Sequence, residues 1–129
     1  MPPGLPLPKS LQTTLFETIE KEGVAAATAK YRDLRADMAL GHYNFGEWEM
    51  NELARRLNEA GKTDAAIAML ELNGEFYPKS AEIDVMTGDL YRKRGDRDKA
   101  LQRYRSALEK APQNQLAKAR IAELEKKPQ

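Results

Sequence analysis

Apolar residues recur at three- and four-residue spacing along most of this chain, and the runs are punctuated by glycine and proline. Leu11, Leu15, Phe16 and Ile19 form the first stripe behind Ser10, whose hydroxyl suits a helix N-cap, and Gly23 ends it near Glu22. A second helix is predicted over Val24–Asp37, with Ala27, Tyr31 and Leu34 on one side. Ala39–Gly46 reads as a connector, followed by helices over Glu47–Ala60 (Met50, Leu53, Ala54, Leu57 inward) and Thr63–Phe76 (Ala66, Ile67, Leu70, Asn73 inward). Pro78 and Ser80 stop one helix and start the next. Ala81–Arg94 carries Val85, Gly88 and Tyr91; Arg97–Lys110 carries Ala100, Leu101, Tyr104, Ala107 and Leu108 up to Pro112; Gln115–Lys126 closes the series. The expected fold class is all-α, with about seven helices and no strand pattern.

The last helices are copies. Sliding Glu47–Ser80 by 34 residues lays it over Ala81–Asn114, with identities at Gly61/Gly95, Asp64/Asp98, Ala66/Ala100, Glu75/Glu109 and Pro78/Pro112. Ala54/Gly88, Leu57/Tyr91, Ile67/Leu101 and Leu70/Tyr104 are similar. Small, turn and proline residues recur where a stacked helix pair needs them, and a fixed period in this range marks a repeat array. Ile121-Ala122 overlays Leu53-Ala54 and Thr87-Gly88, so 115–129 begins a third copy and stops after one helix. The chain then divides into a Pro-rich lead (1–9), a degenerate hairpin with its connector (10–46), two repeats (47–80 and 81–114) and a capping helix with tail (115–129). A polar-backed end helix is what an open stack requires.

These positions resemble the tetratricopeptide repeat family. Its pattern of small, aromatic, alanine, aromatic and proline places is met by Gly88, Tyr91, Ala100, Tyr104 and Pro112, and by Ala54, Leu57, Ala66, Leu70 and Pro78. Asp84 stands where the pattern has tryptophan and Thr87 where it has leucine; both weaken the expected packing and turn that first helical turn toward solvent or a partner. The resemblance implies a right-handed superhelix of antiparallel helix pairs whose first helices line a concave groove. The groove residues it implies are Trp48, Asn51, Arg55, Asn58 and Glu59 in one repeat and Glu82, Val85, Asp89, Arg92 and Lys93 in the next. Leu116, Ala119 and Glu123 continue them in the cap. Some members clamp a C-terminal carboxylate with lysine, arginine and asparagine; Asp89 and Val85 intrude on that constellation here. Arg55 with Asp89, and Glu59 with Lys93, are expected to face one another, either as surface ion pairs or as a mixed-charge groove. Trp48 is the candidate anchor, or else a core residue.

A narrower likeness covers Leu15-Phe16-Glu17-Thr18-Ile19-Glu20-Lys21-Glu22-Gly23, Tyr31-Arg32-Asp33-Leu34, Tyr43-Asn44-Phe45, Asn51-Glu52-Leu53 and Leu72-Asn73-Gly74-Glu75-Phe76-Tyr77-Pro78. These runs are similar to repeat tails that follow bacterial serine hydrolases of the β-lactamase and penicillin-binding type. That likeness implies an alternative role: an accessory tail that packs on its own catalytic domain or mediates self-association, as a homo-oligomer.

Composition narrows the partner class. Lys+Arg is 21 and Asp+Glu is 20, a net charge of +1, which lacks the basic excess of most nucleic-acid binders. No apolar run approaches the roughly 20 residues of a membrane helix, so no membrane insertion is expected. There is no cysteine, which leaves the compartment open. The opening, Met1-Pro2-Pro3-Gly4-Leu5-Pro6-Leu7-Pro8, lacks the cationic end and apolar core of a signal peptide and reads as a stiff linker with a PxxP spacing. His42, the one histidine, sits in a glycine-flanked loop and builds neither a catalytic nor a metal constellation. Gly4, Gly41 and Gly46 form no phosphate loop. Neither catalysis nor a cofactor is expected; the partner is a protein or peptide. Tyr43 and Phe45, with Tyr31 and Trp48, are expected to plug the join between hairpin and repeats, the alternative being a binding lip.

Overall fold

The computed structural model describes residues 10–37, 43 and 45–126, all-helical with no strand among them. Seven helices follow one another: α1 (Leu11–Glu22), α2 (Val24–Ala36), α3 (Glu47–Glu59), α4 (Thr63–Phe76), α5 (Ala81–Arg94), α6 (Arg97–Lys110) and α7 (Gln115–Lys126). The Pro-rich lead, Gly41 and His42 lie outside the described residues.

Local chemistry sets these ends. The Ser10 hydroxyl accepts from the Thr13 N–H, and that of Ser80 from the Ile83 N–H, each satisfying a donor that the first turn leaves unpaired. Asn114 does the same for α7 through the Ala117 N–H at 2.9 Å. Gly61 and Gly95 sit at φ +81° and +91°, the left-handed geometry that lets the chain reverse after α3 and α5. Their recurrence is therefore a backbone requirement. α4 and α6 each stop two residues before a proline.

α1 packs on α2, and each helix from α3 to α7 packs on the next; the leading hairpin joins them through α1 on α3 and α2 on α4. The core divides accordingly. One cluster runs from Leu11, Leu15 and Tyr31 through α3 and α4 to Leu90; the other joins Val85, Ala100, Leu101, Tyr104 and Ala107 to Ala117 and Leu124 of α7. A small–large pair four residues apart recurs in every second helix: Ala27/Tyr31, Ala66/Leu70 and Ala100/Tyr104, all fully buried. The hairpin at the start thus keeps the packing pair of the repeats even where the 34-residue register fails.

Within α5 and α6 the close contact is tight. A Cβ placed on Gly88 would lie 2.6 Å from Tyr104 Cε1. Copy one has Ala54 and Leu70 at these places. The smaller ring-free side chain opposite tolerates one more methyl on the first helix.

Asp84 and Thr87 do not turn outward as expected. Asp84 is 2% exposed, held by Lys110 at 2.7 Å, Arg103 at 3.5 Å and the Ser106 hydroxyl at 3.1 Å. Thr87 is fully buried and donates to the Ile83 carbonyl at 2.7 Å. Charge and hydrogen bonds from α6 to Asp84, and a bond within α5 from Thr87, stand where copy one has the buried apolar Met50 and Leu53, so the turn is sealed from within.

An aromatic cluster closes the join ahead of α3. Tyr31 packs edge-on against Phe45 and Phe76, with centroids at 5.9 and 5.5 Å, and Tyr43 packs on Phe45 at 6.2 Å. The Arg35 guanidinium lies 4.3 Å from the Phe76 centroid and donates to the Tyr31 hydroxyl and the Phe45 carbonyl. A cation among ring faces gains from their quadrupoles. Trp48 takes no part: it is 64% exposed.

Gly88→Ala should destabilise the chain by about 1–3 kcal/mol through overpacking. Adding Tyr104→Leu, which recreates the Ala54/Leu70 pairing, should recover part of that loss. Urea unfolding of the two single variants and the double variant checks this; strictly additive effects would mean that the two side chains do not meet.

Candidate functional site

α3, α5 and α7 are the first helices of their units, and side chains tie them into a row. Lys93 Nζ donates to Asn58 Oδ1 at 2.7 Å across α3 and α5. Arg120 Nε reaches Asp89 Oδ1 at 2.9 Å, and an Arg92 guanidinium nitrogen reaches Glu123 Oε1 at 2.6 Å, both across α5 and α7. Between α3 and α5 this row opens into a cavity of about 170 Å³. Ala54, Leu70, Met86 and Leu90 give it apolar walls, and Arg55, Asn58 and Asp89 give it polar ones. An engineered apolar cavity of about 150 Å³ holds benzene, so this one has room for a branched or aromatic side chain.

Three of the ten residues expected in the groove line this cavity: Arg55, Asn58 and Asp89. Lys93, Arg92 and Glu59 stand around it on the same face, and Trp48 and Glu82 are exposed near the start of α3 and α5. Asn51 and Val85 are not available to a ligand, at 6% and 4% exposure. The first helix packs on its own partner and on the preceding pair, so its buried arc is wider than the Met50/Leu53/Leu57 stripe. Asn51 and Val85 fall inside that arc.

The expected cross-helix ion pairs do not form. Arg55 bonds to Glu52 and Glu59, one turn away on either side along its own helix. Asp89 instead accepts from the Tyr104 hydroxyl at 2.5 Å as well as from Arg120. The buried ring facing Gly88 brings its hydroxyl to Asp89; copy one has Leu70 there and makes no such demand. Burial, then the bond to Asp89, holds the Tyr104 phenol well above its usual range. The bond to Glu52, opposed by some desolvation, likewise secures the Arg55 charge.

Met86, Leu90 and Arg120 were not read as site residues from sequence. The signal was present for Met86 and Arg120: each lies four residues beyond Glu82 or Leu116, on the same stripe. A second cavity, about 250 Å³, lies across α4, α5 and α6 and includes Glu71, Asp84, Arg103 and Lys110. Arg103 there pairs with Glu71 and Asp84, and Lys110 with Asp84, so those charges answer one another. Among the described residues no group of three or more histidine, cysteine or acidic side chains could hold a metal ion, and no helix is long and apolar enough to cross a membrane.

Comparison with protein-family models and with curated proteins finds no match for this chain.

The buried Asn51 has a counterpart that explains it. Asn73 is fully buried and donates to Asn51 Oδ1 and to the Glu47 carbonyl, both at 3.0 Å. One period on, the same two places hold Val85 and Ala107, both buried and apolar. Asn73→Ala alone should cost about 1–3 kcal/mol, because buried partners lose their donor. Asn51→Val with Asn73→Ala, which copies the second repeat, should be near neutral or stabilising by the same reasoning. Thermal unfolding of both variants checks this; a double variant as unstable as the single one would contradict it.

Proposed function

We propose that this chain is a short tetratricopeptide-type array that binds a peptide or protein segment on the face shared by α3, α5 and α7, without catalysis of its own. The observation that carries this reading is the cavity between α3 and α5. Four apolar side chains from three helices surround a space sized for one side chain, and an amide and two opposite charges stand beside it. Such a site anchors an apolar residue and orients the backbone around it through polar groups. Further support comes from the row of exposed polar side chains on either side, which hold cross-helix bonds that a ligand backbone can exchange for its own.

The balance of charge on this face favours a segment with both polar and apolar side chains over a uniformly charged one. Arg55, Arg92, Lys93 and Arg120 are met by Glu52, Glu59, Asp89 and Glu123. Non-specific attraction to a polyanion is therefore weak, and specificity falls to shape and to the position of each charge. The site is short, so affinity rests on one or two anchors.

Peptides selected by phage display on the whole chain provide the test. Arg55→Glu with Arg92→Glu should weaken the selected peptides at least tenfold while far-ultraviolet circular dichroism stays unchanged, since exposed ion pairs contribute only about 0–1 kcal/mol to folding. Unaltered affinity in a folded double variant would rule out this face as the binding site.

A further inference from the structure

The cavity between α3 and α5 has a counterpart that the protein fills by itself. One period on, between α5 and α7, Gly88 stands for Ala54, Tyr104 for Leu70 and Leu124 for Leu90. Tyr104 is fully buried there and shares a core with Ala117 and Leu124 of α7. Its hydroxyl donates to Asp89 Oδ1 at 2.5 Å, and the same oxygen accepts from Arg120 Nε of α7 at 2.9 Å. A phenol thus closes the second junction, its ring against Gly88 and its hydroxyl among charged groups of α5 and α7.

The first junction lacks that phenol. Leu70 is shorter than a tyrosine, Met86 stands one period before Arg120, and a cavity of about 170 Å³ lies at this place. Its walls keep the two-sided character of the filled site, apolar at Ala54, Leu70 and Leu90 and polar at Arg55, Asn58 and Asp89. The fold can fill this position from within, and in the first repeat it does not. Unfilled space forgoes packing contacts, so a side chain supplied from outside has contacts to gain.

We infer that this cavity receives a tyrosine side chain from a segment of a partner protein, which completes in the first repeat what Tyr104 completes in the second. The inference rests on the binding role proposed above and names the side chain that the site takes. Size agrees: benzene enters a cavity of about 150 Å³, and a phenol adds one hydroxyl. Met86 favours a ring over a branched aliphatic group, because its unbranched thioether adapts to the occupant and gains from sulfur–aromatic contact. A hydroxyl both donates and accepts, which suits a wall that offers a carboxylate, an amide and a guanidinium. A phosphorylated ring is disfavoured. Arg55 is already answered by Glu52 and Glu59, and Asp89 repels a second anion.

The probe is p-cresol, the tyrosine side chain as a free molecule, titrated into the whole chain with carbon-13 labels on the methionine and leucine methyls. The Met86 methyl should show a saturable shift with a Kd on the order of millimolar, the range of so small a ligand. Toluene should bind at least threefold more weakly, since it forgoes the hydroxyl's bond. Ala54→Gly with Leu70→Tyr copies the second repeat and should abolish the response. Met86→Arg, a milder change at a half-buried position, should weaken it at least threefold, and circular dichroism verifies folding. Tyr104→Leu should open the second junction and add a p-cresol site seen at the Leu124 methyls. No saturable shift at Met86, equal binding of toluene and p-cresol, binding that survives the filled variant, or a Tyr104→Leu chain without a second site would each overturn the assignment. So would concentration-dependent association of the chain that the filled variant abolishes, since a second copy would then be the occupant. Phage-selected peptides should carry a tyrosine whose replacement by leucine costs about tenfold, the size of a central anchor. Peptides that respond to Arg55→Glu with Arg92→Glu, yet carry no such tyrosine and ignore the filled variant, would remove the assignment and leave the binding face standing. Peptides indifferent to all of these variants would remove both.

Discussion

The rest of the structure depends on how closely the two helices of each pair approach. In the second repeat this is the contact of Gly88 with the Tyr104 ring, where even one added carbon would meet the ring at 2.6 Å. In the first, Ala54 and Leu70 hold these two places, both buried, and in the leading hairpin α2 keeps the small–large pair of the second helices, Ala27 and Tyr31. Close approach fixes where the first helices lie relative to one another. The cavity between α3 and α5 follows from it, since Ala54 and Leu70 are two of its walls. The Tyr104 hydroxyl adds a second consequence: it engages Asp89, which also receives Arg120 from α7. One interior choice of residue thus reaches the polar pattern of the exposed face.

The two copies solve the same packing problem with different chemistry. Met50, Asn51 and Leu53 in α3 correspond to Asp84, Val85 and Thr87 in α5, so polar and apolar residues trade places. Asn51 finds Asn73; Asp84 finds Lys110, Arg103 and Ser106. The second helices changed to match, with Asn73 opposed to Ala107 in register. A buried polar group is tolerated when its partner comes with it. The Asn73 side-chain oxygen is an exception, buried with no protein partner. Such mutually exclusive interiors disfavour pairing α3 with α6, which a chain of near-identical repeats would otherwise risk. Segregation of the core into two clusters is the corresponding signature of a stack stabilised by nearest neighbours.

Much of this fold was legible in the chain. Helix ends were readable because they rest on local chemistry: serine hydroxyls at Ser10 and Ser80, glycines at Gly61 and Gly95, and prolines at Pro78 and Pro112. The site was less so. Helical periodicity placed Arg55, Asn58 and Asp89 on one face, where they line the cavity, but it also put Asn51 and Val85 there, because a simple stripe underestimates how much of a first helix is covered. Asp84 and Thr87 looked like weak points for the same reason. The partners of Asp84 lie some twenty residues away, and a polar residue carries no mark in the sequence that says whether it is buried with a partner. Trp48, grouped with the aromatic plug on composition, lies outside it, whereas Arg35 lies inside: a cation among rings has no periodic signature at all.

The central claim is that a small residue on the first helix lets the ring of the second helix settle against its backbone, and that this contact sets the spacing of the exposed row. Nuclear Overhauser spectroscopy on the labelled chain tests it directly. The account predicts strong cross-peaks from the Gly88 Hα protons to the Tyr104 ring protons. It further predicts that these persist in Arg55→Glu with Arg92→Glu, where only the surface is altered. Absence of those cross-peaks in the folded protein, with the Tyr104 ring instead contacting solvent-facing side chains, would contradict it.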